Sequence, residues 1–134
     1  MKKINPPAVR AGKITYWIST IWLASGMLAS GLQQIFHTKG FVDIISHIGF
    51  PLYFLYILGI WKILGVITIL IPKFRLLKEW AYAGFFFAMS GAVISHIATG
   101  DSIREIAPAL TLLILVVISW YFRPADRKII SVNQ

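Results

Sequence analysis

The chain has 134 residues, of which 57% are hydrophobic and only 13% are charged. Since a soluble domain carries about 25% charged residues, this composition predicts a membrane protein with little mass outside the bilayer. The absence of cysteine excludes disulfides, thiolate metal ligands and CxxC redox chemistry. The net charge of +8 does not indicate a nucleic-acid partner, because the basic residues flank hydrophobic runs and so predict contact with an anionic lipid bilayer.

Four hydrophobic segments follow one another along the chain. They are residues 14–36, 51–71, 80–98 and 106–122. Because a membrane-spanning helix needs about 20 apolar residues, each segment is long enough to cross a bilayer. The sequence therefore predicts an all-α fold, in which residues 14–123 form one bundle of four transmembrane helices between basic cytoplasmic tails at residues 1–13 and 124–134.

The connection between the first two spans is too short and too polar to cross a membrane. Residues 37–50 nevertheless combine an apolar face with polar residues such as Asp43 and His47. This pattern predicts a short helix lying in the membrane interface. Gly49 is expected to end that helix, and Pro51 suits the first turn of the next span.

Small residues recur in the first and third spans at helical spacing. In the first span Ser25/Ala29 and Gly26/Ser30 stand four residues apart. The third span has a similar series, comprising Ala81, Gly84, Ala88, Gly91, Ala92 and Ser95. Because small side chains let helices approach closely in lipid, both series predict close-packing faces.

The second span carries a single positive charge near its middle, Lys62, with Gly59 and Gly65 three residues to either side. A lysine at this depth costs about 2.5–3.5 kcal/mol to insert, so we expect it to face the bundle interior and to serve a binding site. The glycines are predicted to give a ligand or a neighbouring helix access to the ammonium. No acidic residue lies inside any span, so hydroxyls such as Ser25 are candidate partners.

The distribution of Lys and Arg predicts the orientation. Ten lie in the two tails, at Arg123 immediately before the second tail, or in the loop between the second and third spans, whereas the other two loops carry one each. The positive-inside rule then places both termini in the cytoplasm. His37, His47 and His96 would lie near the outer face, and their irregular spacing does not predict a metal site. His96 is the strongest ligand-binding candidate of the three, since it lies inside the end of a span.

Several motifs resemble the DoxX-like family of small bacterial membrane proteins. They are Gly49-Phe50-Pro51, the LGIWKILG segment around Lys62, the PKFRLLKEWAYAG segment from Pro72 to Gly84, and Ser95-His96 with Gly100-Asp101. The resemblance implies a four-helix bundle in the bacterial inner membrane. It also implies a link to quinones and redox stress, since the family's founding name belongs to a subunit associated with a thiosulfate:quinone oxidoreductase.

The sequence contains no recognisable catalytic set, so enzymatic activity is not predicted. The leading hypothesis is an accessory membrane protein that binds a small lipophilic molecule such as a quinone, with Lys62 as its polar anchor. No cofactor is required by the sequence. The alternatives are a small-solute transporter or channel acting as a homo-oligomer, and an assembly subunit of a membrane complex such as a redox complex.

Overall fold

The computed structural model describes residues 7–127, and this part of the chain is helical with no strand. The helices are α1 (Pro7–Ile35), α2 (Lys39–Ile48), α3 (Phe54–Leu70), α4 (Arg75–Ala98) and α5 (Ile103–Tyr121), followed by a 3₁₀ turn at Ala125–Arg127. The all-α class predicted from the sequence is confirmed. The short amphipathic helix between the first two long helices is also present, as α2.

The four long helices pack side by side in a ring. α1 packs against α3 and α5, and α4 packs against the same two helices, so α1 and α4 lie on opposite sides. α2 lies across one end of the bundle, where it contacts α1 and α3. The α4–α5 loop reaches the same end, which we call the histidine end because His47 and His96 meet there. The opposite end, where Arg75 and Arg127 lie, is the basic end.

The centre of the bundle is apolar, but it contains one buried chain of hydroxyls. Leu23, Met27, Ile69 and Val116 belong to the apolar core. Beside them the Ser119 hydroxyl lies 2.6 Å from Thr20 Oγ1 and 2.7 Å from the Tyr82 hydroxyl. Because buried hydroxyls are costly unless hydrogen-bonded, this chain ties α1, α4 and α5 together at one level of the bundle.

Two helices begin earlier than the hydrophobic pattern predicted. α1 begins at Pro7, inside the region expected to be a tail, because proline has the right φ for the first position of a helix and needs no hydrogen bond there. α4 begins at Arg75, within the predicted basic loop, after Lys73 and Phe74 turn the chain with φ values of 67° and 54°. Helices therefore continue beyond the apolar segments at the basic end.

The start of the predicted C-terminal tail is packed on the bundle. The buried Arg127 guanidinium donates to the carbonyl oxygens of Ile69 at 2.8 Å and Leu70 at 3.2 Å. The ammonium of Lys78 donates to the carbonyl oxygens of Thr68, at 2.6 Å, and Ile71. The last carbonyls of a helix lack partners within it, so the two cations cap the C-terminus of α3. The rest of the predicted tail, residues 128–134, and residues 1–6 lie outside the described residues.

Two helices, α4 and α5, are long and apolar enough to cross a membrane. Only 17% of the most apolar stretch of each is buried within the bundle, so these helices expose apolar surface that suits lipid better than water. α3 is apolar but shorter, at 17 residues, and α1 contains many hydroxyl and small residues. A bundle in which all four long helices span the membrane remains a prediction.

Close packing between α1 and α3 is centred on Gly31 and Gly59, and Gly26 of the predicted α1 series is a further contact, because a Cβ there would lie 2.8 Å from the side chain of Leu112. A Cβ added to Gly59 would lie only 2.6 Å from the Gly31 carbonyl oxygen, so α1 and α3 approach closely at this point. Ser25 and Ala29, by contrast, are exposed. In α4 nothing lies within 4 Å of a Cβ added to Gly84 or Gly91. The two glycines of the predicted packing face of α4 therefore do not contact another helix.

We expect Gly59→Ala to destabilise the protein by about 1–3 kcal/mol, because the new methyl group would collide with the backbone of α1. Thermal unfolding of the purified protein in detergent measures the effect. Gly84→Ala is the matched control and should be neutral, since a Cβ there meets nothing within 4 Å. Equal unfolding temperatures for the two variants would contradict the close contact of α1 with α3.

Candidate ligand-binding cavity

A cavity of about 480 Å³ lies in the half of the bundle nearer the histidine end. Its walls are largely apolar and come from all five helices, with Ile45 of α2 on one side. Part of the wall is formed by Ala88, Gly91 and Ala92 of α4. The small residues of α4, expected to bring helices together, therefore leave space for the cavity.

Lys62 is the cationic residue in this wall. Its side chain is only 7% exposed, which confirms the expectation that it faces the interior. The ammonium donates to the Ser30 hydroxyl at 3.2 Å and lies 5.9 Å from the centre of the Phe41 ring. Among residues 7–127 no carboxylate lies within 4.0 Å of the ammonium. The charge of Lys62 is thus solvated by one hydroxyl and one aromatic ring, with no ion-pair partner in the described chain.

The contact of α1 with α3 determines the position of Lys62. Gly31 and Gly59 bring the helices together, and a Cβ on Gly31 would lie 3.2 Å from Cβ of Lys62. Ser30 immediately precedes Gly31, and its hydroxyl lies 3.2 Å from the ammonium at the far end of the lysine side chain. The glycines therefore act at the base of Lys62, while its ammonium end reaches the cavity.

His96 contributes a second polar group to the same cavity. Its side chain is 10% exposed, and its Nδ1 lies 2.6 Å from Oδ2 of Asp101. The chain can return to His96 within five residues because Gly100 adopts a φ of 77°, a conformation that glycine accepts readily. Since an ionised carboxylate can only accept, Nδ1–H of His96 is the donor, so any free lone pair of the ring is on Nε2.

Asp101 joins two histidines of different elements. Its other oxygen, Oδ1, lies 2.9 Å from Nε2 of His47 on α2, and the Thr99 hydroxyl donates to Oδ2 at 3.1 Å. The hydrogen bond with His96, followed by those with His47 and Thr99, holds the pKa of the Asp101 carboxyl below its ordinary value of 3.8. The carboxylate is therefore ionised at neutral pH and connects α2 to the α4–α5 loop.

Gln34 is a polar group of the cavity that was not singled out from the sequence as a site residue. It is buried and lines the cavity, and its Oε1 has no hydrogen-bond partner within the described residues. A buried amide oxygen without a partner is a place where a ligand or water donor is expected. The available signal was its spacing, because Gln34 stands four residues after Ser30 on the same face of α1.

Of the five residues proposed from the sequence, the structure brings Lys62 and His96 to one cavity. Gly59 packs against α1, and a Cβ on Gly65 would lie 2.5 Å from the Phe85 ring, so both glycines serve helix packing. Ser25 is exposed and does not line the cavity. The expected hydroxyl partner of Lys62 is instead Ser30, five residues further along α1.

The remaining histidine lies elsewhere. The ring of His37 is 4.3 Å from the ring of Tyr56 and does not line the cavity. Within residues 7–127 the structure has no group of three His, Asp or Glu side chains placed to hold a metal ion. His47 and His96 are instead joined through Asp101 by hydrogen bonds.

A second cavity of about 480 Å³ lies between α4 and α5 near the basic end. The charged residue in its wall is Glu79, which forms an ion pair with Arg123 at 2.7 Å and accepts a hydrogen bond from the Trp120 indole at 3.0 Å. Its charge is therefore already balanced. The cavity at the histidine end, where Lys62 has no acidic partner among residues 7–127, is therefore the stronger candidate for a ligand site.

Comparison with protein families matches residues 18–119 to the family described as "DoxX-like family". This match covers more than half of the chain and includes Lys62, His96 and Asp101. No curated protein and no solved structure matches the chain.

Replacement of Asp101 is expected to lower stability in a pH-dependent way. Its pKa is lower in the folded state than the ordinary 3.8, so the carboxylate stabilises the fold at any pH above that value and loses this effect as the pH falls through the folded pKa. Asp101→Asn should therefore unfold at a lower temperature than the wild type at neutral pH, with the difference shrinking below about pH 4. Thermal unfolding in detergent across a pH series measures it.

Asp43→Asn is the control for the loss of a carboxylate at the same end of the bundle, since Asp43 forms no ion pair within residues 7–127. An unchanged unfolding temperature for Asp101→Asn, or a difference that grows on acidification, would contradict the role given to this carboxylate.

Proposed function

The chain belongs to the DoxX-like family, and from this premise we propose that it is an accessory membrane protein that binds a small lipophilic molecule in the cavity at the histidine end. The ligand class is a molecule with an apolar body and an oxygen-bearing head group, such as a quinone. Lys62 anchors the head group, with His96 and Gln34 as further polar contacts. The proposal contains no catalytic step.

One observation carries this proposal. Lys62 is a buried cation in the wall of an apolar cavity, with a hydroxyl as its hydrogen-bond partner and no carboxylate nearby in the described chain. Burial of a charge is costly unless hydrogen bonds and an opposite charge offset the cost. A ligand oxygen at the ammonium would supply the missing interaction, and the apolar walls would hold the rest of the molecule.

The same observation favours binding over the alternatives. A channel made from this chain would need several copies to enclose a path, whereas the polar groups found here converge on a cavity within one copy. An assembly subunit would need only exposed apolar surface and would not require a buried lysine. A co-purifying protein partner or solute flux through liposomes would support those alternatives.

We further propose that α1, α3, α4 and α5 all cross the bacterial inner membrane. The large side chains on their outer faces support this arrangement, with Trp61 68% exposed and Phe87 70% exposed. The basic end would face the cytoplasm, because ten Lys and Arg residues flank the bundle at its two termini or surround the α3–α4 turn, while the other two connections have only Lys39, at the start of α2, and Arg104, at the start of α5. The cavity would then lie in the outer half of the membrane and Asp101 near its outer face.

Lys62→Met tests the binding proposal, because methionine keeps much of the length and removes the charge. We expect a folded protein that binds a quinone analogue such as decylubiquinone about 10–100-fold more weakly, since a hydrogen bond to a charged group contributes about 1.5–3 kcal/mol. Quenching of tryptophan fluorescence on titration measures the affinity. Unfolding temperature should stay equal or rise, as it often does when a buried charge is replaced.

Lys39→Met is the matched control, since Lys39 is exposed and does not line the cavity. It removes the same charge through the same substitution and should bind like the wild type. Equal affinities for Lys62→Met and Lys39→Met would contradict Lys62 as the anchor.

Cysteine labelling tests the orientation, because the natural chain has no cysteine. In intact cells we expect Gly40→Cys to react with a membrane-impermeant maleimide and Lys73→Cys to react only after the membrane is opened. Both positions are exposed. The reverse pattern would show that the basic end faces outward.

A further inference from the structure

Resting on the proposed function, we infer that the head group bound in the cavity is a weakly acidic hydroxyl, such as a phenol, an enol or the reduced (quinol) form of a quinone, and that it binds as its oxyanion while His96 holds its proton. The inference concerns the protonation state of the bound molecule. It joins two features at the histidine end: the unbalanced charge of Lys62, and the His96–Asp101 pair in the wall of the same cavity.

The buried ammonium of Lys62 would be stabilised by a negative charge close to it. Its hydrogen-bond partner, Ser30 at 3.2 Å, is neutral, and so is the Phe41 ring. Glu105 of α5 also lines the cavity, but it is exposed and its carboxylate accepts a hydrogen bond from the Ser102 backbone N–H at 2.9 Å, where it caps α5. Glu105 does not lie within ion-pair distance of Lys62. A ligand oxyanion would provide the charge that the described chain does not place there.

His96 and Asp101 are arranged as a base. Asp101 binds Nδ1–H of His96 at 2.6 Å, which leaves Nε2 as the nitrogen that can accept a proton from a molecule in the cavity. The imidazolium formed in this way would be stabilised by the carboxylate beside it, as in the histidine–aspartate pairs of hydrolases. His47 of α2 and Thr99 hold the carboxylate in place through hydrogen bonds at 2.9 Å and 3.1 Å. The depressed pKa of Asp101 is consistent with a permanent negative charge at this point.

The proton transfer balances without a further reactant. The O–H bond of the ligand breaks, its proton forms a bond with Nε2 of His96, and the electron pair remains on the ligand oxygen. Before transfer the site holds Lys62 as a cation and Asp101 as an anion. After transfer the oxyanion is paired with Lys62 and the His96 imidazolium with Asp101, so the net charge of the site is unchanged. His47, with a side chain 56% exposed to solvent, faces Asp101 from α2 and does not contact the cavity.

A carboxylic acid would not need this arrangement. Such a ligand is already ionised at neutral pH, and Lys62 alone would satisfy it. A weakly acidic hydroxyl, in contrast, enters apolar surroundings as the neutral form, which has the lower desolvation cost, and becomes charged only where both partners are in place. The presence of a base beside an unbalanced cation therefore favours the weaker acid.

The test uses a 4-nitrophenol that carries an octyl chain, because nitrophenols are yellow as the phenolate and nearly colourless as the phenol. The purified protein in detergent is saturated with the probe at a pH well below the pKa of the probe in empty micelles. Equilibrium dialysis gives the amount bound, and the visible spectrum gives its ionised fraction. We expect the wild-type protein to hold the probe in its yellow form.

His96→Gln keeps a hydrogen-bonding side chain of similar size but cannot take the proton. Probe bound to this variant should be colourless, with affinity about 10–100-fold weaker, because a charge-assisted hydrogen bond is lost. His37→Gln is the matched control, since His37 does not line the cavity, and it should behave like the wild type. If His96→Gln does not fold, Asp101→Asn takes its place: it removes the carboxylate that would stabilise the imidazolium, so probe bound to it should also be colourless.

Two failures are distinguishable. Saturable binding of a colourless probe by the wild type, or a yellow probe on His96→Gln, would overturn the proton transfer but leave ligand binding by the cavity intact. If neither the phenol nor its uncharged methyl ether binds saturably, the proposed binding function fails, and the inference fails with it.

Discussion

The burial of one positive charge, Lys62, is the constraint around which the histidine end of this bundle is arranged. A lysine in apolar surroundings is costly, and the described chain offsets that cost only in part, with the Ser30 hydroxyl and the Phe41 ring. The close approach of α1 and α3 at Gly31 and Gly59 determines where the side chain begins. The small residues of α4 leave the space into which it points. The helix contacts that stabilise the bundle therefore also form the cavity and determine the position of Lys62 in its wall.

The two ends of α3 are stabilised differently, and this difference suits a binding protein. At the basic end Lys78 and Arg127 bind the last carbonyls of α3, so that end is closed by charged hydrogen bonds. At the histidine end the cavity is covered by the short helix α2, which is held by its contacts with α1 and α3 and by the His47–Asp101 hydrogen bond. Elements with few buried contacts open at lower free energy than the core of a bundle. α2 is therefore held to the bundle less firmly than the capped basic end of α3.

Much of the fold could be predicted from the hydrophobic segments and from the Gly and Pro residues that separate them. Segment length and composition predicted the all-α class, and amphipathic spacing predicted α2. The inward direction of Lys62 followed from the cost of the alternative. The extension of α1 to Pro7 was missed, because proline looks like a breaker although it suits the first turn of a helix. Packing of Arg127 on α3 depends on a contact between residues far apart in sequence, which local pattern does not reveal.

The residues that surround Lys62 and His96 were harder to predict than Lys62 itself. Ser25 and Ser30 differ by five residues, or about 140° around a helix, so a choice between them requires the rotation of α1 relative to α3. The glycines around Lys62 were expected to admit a ligand or a neighbouring helix, and the space beside each is occupied by a neighbouring helix. Asp101 lies in a loop and acquires its role only when the fold brings His47 and His96 to it. Each of these facts depends on how the helices pack, not on residue spacing within one helix.

The central claim is that the chain leaves the charge of Lys62 unbalanced so that a bound small molecule can meet it. Native mass spectrometry of protein solubilised gently from its own membrane measures this most directly, since it needs no assumption about the ligand. The account predicts that the wild-type protein carries a small-molecule adduct of defined mass that Lys62→Met lacks, while Lys39→Met retains it. The same adduct on Lys62→Met as on the wild type, or no adduct on either protein, would contradict this claim.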